Sequence, residues 1–95
     1  MASNRKVISI ASDFSITNDF DQHELAVFAT APVVISLPSA VAFTAAITAK
    51  AVAGAVALQT QRGETIDGSV VHLLEKPYAF VRLLSDGSNW QVVAN

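Results

Sequence analysis

Apolar and polar residues alternate with a period of two along most of this chain, which is the spacing of a pleated strand rather than of a helix. Phe14-Ser15-Ile16-Thr17 alternates in every position. Asn4 to Ala11 alternates less regularly, but Val7, Ile8 and Ile10 are β-branched and suit a strand. Between these and the next apolar run, Asn18-Asp19-Phe20-Asp21-Gln22 supplies turn-forming side chains and predicts a loop. Leu25 to Thr30 and Pro32 to Leu37 read as two further strands parted by Ala31-Pro32. Proline has no ladder donor, so Pro32 and Pro38 mark corners or strand edges.

The segment from Val41 to Lys50 poses a choice, because its alanines favour a helix on propensity. Parity points to a strand. Val41, Phe43, Ala45 and Ile47 share one parity, and Thr44, Thr48 and Lys50 share the other. After Gly54 the large residues Val56 and Leu58 fall on even numbers, with Gln59 and Gln61 opposite. Such a switch across Ala51-Val52-Ala53-Gly54 predicts a hairpin turn, with an alanine-rich helix over 39–53 as the alternative.

The remainder, Gly63 to Trp90, organises the chain. Asp67-Gly68 and Asp86-Gly87-Ser88-Asn89 are turn sequences on either side of the apolar run Val70 to Leu84. Glycine there supplies the positive backbone dihedral that a tight turn needs. Strands are expected at Val70 to Leu74, Tyr78 to Leu84 and Trp90 to Ala94. Tyr78 and Phe80 lie opposite Val81 and Leu83, so this strand is apolar on both faces and needs cover on both. These runs predict an all-β fold, a compact antiparallel sandwich or barrel-like domain over residues 7–95, behind a flexible arm of residues 1–6.

Composition adds a second expectation. Of the 95 residues, 52% are apolar and only 15% charged, more than a small monomer is expected to hide, so other subunits should cover the surplus. No uninterrupted apolar run reaches the roughly 18–20 residues that cross a bilayer, so neither a membrane anchor nor a secretory signal is expected. The absence of cysteine excludes a disulfide framework and the usual zinc sites. A net charge of −2, with six scattered basic residues, argues against a nucleic-acid partner.

Candidate chemistry is sparse. Asp19, Asp21, His23 and Glu24 hold hard-cation ligand types, but without the glycine and acidic spacing of a calcium loop they read as a solvated turn. No metal or cofactor is expected. His72, between Val71 and Leu73, reads as a core or interface histidine. No nucleophile-elbow or triad signature surrounds the serines, and Gly63-Glu64-Thr65-Ile66-Asp67-Gly68 lacks the ending of a phosphate loop, so no catalytic residue is named. Trp90 could stack on a sugar, yet its place after a tight turn favours a packing role.

The order Val34-Ile35-Ser36-Leu37-Pro38-Ser39-Ala40, Ala46-Ile47-Thr48-Ala49-Lys50, Gly63 to Gly68, Tyr78 to Leu83 and Ser85-Asp86-Gly87-Ser88-Asn89-Trp90 resembles a module common in virion proteins of tailed bacteriophages. The resemblance covers about residues 33 to 93 and implies an all-β, usually trimeric domain in a virion, without catalytic residues. A free-standing module of this length has room only for assembly. It is therefore expected to be a decoration, or cement, protein that binds the major capsid protein on the capsid exterior as a homotrimer. A short tail-fibre, spike or adaptor component that binds host glycan or another tail protein is the alternative. Val70, Leu74, Phe80, Val81 and Leu83 are the expected subunit-interface residues, and Arg5 and Lys6 the expected capsid contacts.

Overall fold

The computed structural model describes residues 5–17, 24–41 and 43–95. Every regular element among them is a strand: β1 (Arg5–Ile10), β2 (Phe14–Ser15), β3 (Glu24–Ala29), β4 (Val33–Ser36), β5 (Ile47–Ala51), β6 (Val56–Gln59), β7 (Val71–Leu74), β8 (Phe80–Ser85) and β9 (Trp90–Ala94). The strands form a five-stranded sheet in the order β1-β3-β5-β8-β9 and a four-stranded sheet in the order β2-β4-β6-β7. The expected loop at 18–22 and the first four residues of the expected arm lie outside the described residues. Arg5 and Lys6, assigned to that arm, instead begin β1 and align with Glu24 and Leu25.

The chain winds in coils. From β1 to β6 successive strands alternate between the two sheets, so each new strand lies parallel to the one laid down a coil earlier. Leu25 comes to lie beside Ile47, and Val33 beside Val56. This corrects the expected antiparallel arrangement: only β7, β8 and β9, which close the stack, pair antiparallel. It also corrects the expected hairpin between β5 and β6, which belong to different sheets. A change of parity is demanded equally by a hairpin and by a corner that carries the chain into a second sheet, so alternation could not separate the two. Neither sheet closes on itself, so there is no barrel.

The corners stack as the strands do. The Ala29 carbonyl accepts from the amides of Val52, at 2.8 Å, and Ala53, at 3.2 Å. Gly54, at φ +83°, lies so close to Pro32 that a Cβ there would sit 2.6 Å from the proline Cδ. Alanines 29, 49 and 51 are fully buried. Ala29 and Ala51 end β3 and β5, where the chain leaves one sheet for the other. Their role is therefore packing at a crossing, and none of the described residues of 39–53 is helical.

Both sheets turn alternate residues toward one core. Leu25, Val27, Ile47, Val81 and Leu83 enter it from the larger sheet, and Val33, Ile35, Val56, Leu58 and Leu74 from the smaller. The chain exposes 5360 Å², close to the about 5,200 Å² of a folded monomer of this mass. A single copy therefore seals its own interior. The expected apolar surplus lies on the outside of the sheets, not in a core left open for a neighbour.

Candidate assembly surfaces

The segment 63–69 is the tie-point of the molecule. Glu64 is largely buried and accepts through Oε1 from the Ala40 amide and through Oε2 from the Ser39 hydroxyl, each at 2.9 Å. A buried carboxylate with both oxygens engaged anchors the loop between β4 and β5. Ser85 donates from its hydroxyl to the Ala40 carbonyl and holds the same loop from the other side. Strand structure begins at Ile47, later than expected: Val41 and Phe43 to Ala46, expected as strand, lie outside β5, although the Ala46 carbonyl already accepts from the Leu25 amide at 3.0 Å. Val41 is 70% exposed, whereas Phe43 is buried with its ring 5.6 Å from that of Trp90.

Asp67 and Gly68 adopt positive φ, 49° and 89°, and Ile66 and Ser69 exchange backbone hydrogen bonds around them. That is the tight turn expected of the dipeptide. Its strands, however, are single residues, because Asp67 is drawn off to β9. Its amide donates to the Trp90 carbonyl, the Trp90 amide donates to the Thr65 carbonyl, and Asp67 Oδ1 accepts from the Val92 amide. In the second turn Asp86 Oδ1 accepts from the amides of Ser88 and Asn89, and Oδ2 accepts from the Gln91 side chain. The amides of Asn89 and Ser88 and then the Gln91 amide group hold its carboxyl below the ordinary value of 3.8. Asn89 in turn accepts from the Thr65 amide at 2.8 Å and joins the two turns.

Trp90 is fully buried, and its indole N–H donates to the Pro38 carbonyl at 3.4 Å. It is a core residue with no face to offer a sugar. A groove of about 610 Å³ runs past the ends of β2, β4 and β6, lined by Ser15, Thr17, Ser36, Ser39, Thr60 and Gln61 among others. Ile16, Leu37 and Pro38 share the lining, and two of its hydroxyls are engaged internally: Ser39 donates to Glu64, and Thr60 to the carbonyls of Glu64 and Val70. Among the described residues no acid or imidazole is part of its lining. No protein-family model, curated protein or solved structure matches the chain.

Burial divides the five expected interface residues. Leu74, Val81 and Leu83 belong to the core and have no surface to give a neighbour, a correction that follows from their inward parity in β7 and β8. Val70, 67% exposed, and Phe80, 40% exposed, stay outside. Of the expected capsid contacts, Lys6 is exposed and the Arg5 side chain lies outside the described residues. Of the acidic cluster, Asp19, Asp21 and His23 lie outside them, while Glu24 faces Arg82 across the larger sheet at 3.4 Å. His72 points inward from β7 and is half-buried opposite Leu58.

Large apolar residues outside the five expected interface positions are exposed as well. On the larger sheet, Val7 on β1, Leu84 on β8 and Val93 on β9 are exposed. Outward in one row across the strands lie Phe28, Lys50 and Phe80. Tyr78 is 62% exposed, and its ring stands 5.5 Å from the Lys50 ammonium. On the smaller sheet the outward row is Val34, Ala57 and Leu73, and it floors a groove of about 270 Å³ with Asp13 at its rim. The outward parity of β3 and β5 could have flagged Phe28 and Lys50. Their alignment with Phe80 depends on strand order, which parity does not contain.

Proposed function

We propose that this chain is a structural module of a tailed-bacteriophage-type virion, a decoration protein that assembles as a homotrimer and binds the capsid exterior. The observation that carries the reading is the set of large apolar residues on the outer faces of a protomer whose core is already closed, among them Val7, Leu73, Tyr78 and Phe80. Such residues are stabilised when a neighbouring surface removes them from water, by roughly 25 cal/mol per Å² of apolar area. The resemblance of residues 33 to 93 to virion modules supports the same reading.

In this role the protein acts by mass action. A ligand that binds only the assembled lattice favours it by RT ln(1 + [L]/Kd), so bound copies add contacts that internal pressure must break. The test is quantitative protein stoichiometry of purified particles together with binding to undecorated capsids. Copy number comparable to the major capsid protein is expected. A few copies per particle, with binding to tail parts, would replace this reading with that of a fibre or adaptor component. The hydroxyl-lined groove favours that second reading to the extent that it offers uncharged hydrogen-bonding groups to a polar ligand. Trp90 does not, because it is buried.

A further inference from the structure

The two outer faces differ in a way that bears on how copies meet. On the larger sheet Lys50 lies between Phe28 and Phe80 in one cross-strand row, with Tyr78 beside it. Among the described residues no carboxylate pairs with Lys50. Tyr78 is held at φ 63°, a left-handed conformation that non-glycine residues rarely adopt, by hydrogen bonds of its amide to the Ala51 carbonyl and of the Ala51 amide to the Ala79 carbonyl. A strained backbone thus fixes an exposed aromatic ring on a cationic, apolar ridge.

A partner for this ridge must bring a carboxylate in an apolar setting. Two copies meeting ridge to ridge would bring Lys50 against Lys50, which is repulsive. The other face of the same chain supplies the complement. The groove over Val34, Ala57 and Leu73 has the carboxylate of Asp13 at its rim. One Asp13 oxygen accepts from the Val34 amide at 2.8 Å, which fixes the side chain there. At about 270 Å³ the groove falls below the roughly 300–1,000 Å³ of small-molecule sites, a size suited to a single inserted side chain. Other described acidic side chains are differently placed: Glu24 faces Arg82, Glu64 is buried, Asp67 and Asp86 are engaged by their turns, and Glu75, exposed between β7 and β8, does not line the groove.

We propose that copies of this chain associate head to tail, Tyr78 of one entering the Asp13-rimmed groove of the next while the Phe28–Lys50–Phe80 ridge packs over the groove's edge, so that Lys50 meets Asp13. The contact is heterologous, since each copy uses two different surfaces, and it closes into a ring when its rotation divides a full turn. The inference rests on the self-association part of the reading above and adds the surfaces that carry it.

Sedimentation of the full chain over a range of concentrations tests it, using the Lys50→Glu and Asp13→Lys variants and the double variant. Each single reversal should weaken association roughly tenfold or more, and the double should recover it, because the reversed pair attracts again. Asp13→Asn keeps an acceptor for the Val34 amide and should also weaken association, while Tyr78→Ala should do so at unchanged secondary structure by circular dichroism. Association untouched by the single reversals, or not recovered in the double, overturns the proposed contact. A wild-type chain that is monomeric throughout but still coats capsids overturns the contact and leaves the virion reading standing.

Discussion

Glu64 and Gly54 show how much of this fold depends on single positions. Replacing Glu64 with alanine strands the Ala40 amide and the Ser39 hydroxyl beside the core, a loss of about 2–3 kcal/mol in urea unfolding. Glu64→Gln keeps one carboxamide acceptor and should cost less. Gly54 and Gly63 have nearly equal φ, +83° and +86°, but a Cβ at Gly54 meets Pro32 whereas one at Gly63 meets nothing within 4 Å. Both alanine variants should therefore lose about 1–2 kcal/mol of stability to left-handed strain, and Gly54→Ala roughly 1–3 kcal/mol more to overpacking against the proline. Asp86 gives the acid side of the stability profile. Its folded pKa is depressed by the Asn89 and Ser88 amides, so its contribution is present above the ordinary value of 3.8 and is lost as pH falls through the lower folded value. Unfolding measured on the acid side should show a shallower loss of stability in Asp86→Asn than in the parent chain.

At the scale of strands, alternation alone located most of the elements. Trp90 to Ala94 matches β9, and Phe14, Leu25, Val33, Val56 and Phe80 all lie in strands where strands were expected. What alternation lacks is direction and partner. Ile47, Ala49 and Ala51 point inward whether β5 lies beside β6 or, as here, between β3 and β8. The irregular stretch that begins at Ser39 and Ala40 was illegible for a related reason: the hydrogen bonds that hold these two residues come from Glu64 and Ser85, distant in sequence. Of the assembly surface, Val70 and Phe80 could be picked out as large apolar residues, but burial separates them from Leu74, Val81 and Leu83 only once β8 is placed between β5 and β9. The two faces of β8 yield a sharp contrast. Leu83→Ala should cost about 2–5 kcal/mol of stability, whereas Phe80→Ala should leave stability within about 0.5 kcal/mol and instead weaken association. Paired unfolding and sedimentation measurements on the two variants separate core from surface.

Taken whole, the molecule is a short stack of coils, closed by antiparallel strands at one end and sealed around its own core. That arrangement changes why copies would associate. Apolar composition suggests chains completing one another's interiors, but the exposed area of a single copy matches that of an ordinary monomer. On the proposed reading, association would be a contact between finished protomers, driven by apolar and aromatic side chains on the outer faces and oriented by a few charges. Such contacts are separable from folding, so surface variants should leave unfolding transitions in place while shifting the assembled mass. The most direct test is the mass of the unmodified chain in solution by sedimentation equilibrium. The account predicts an assembled species at three times the 10.0 kDa protomer mass, in a concentration-dependent equilibrium with smaller forms. A single 10.0 kDa species at every concentration examined would contradict it.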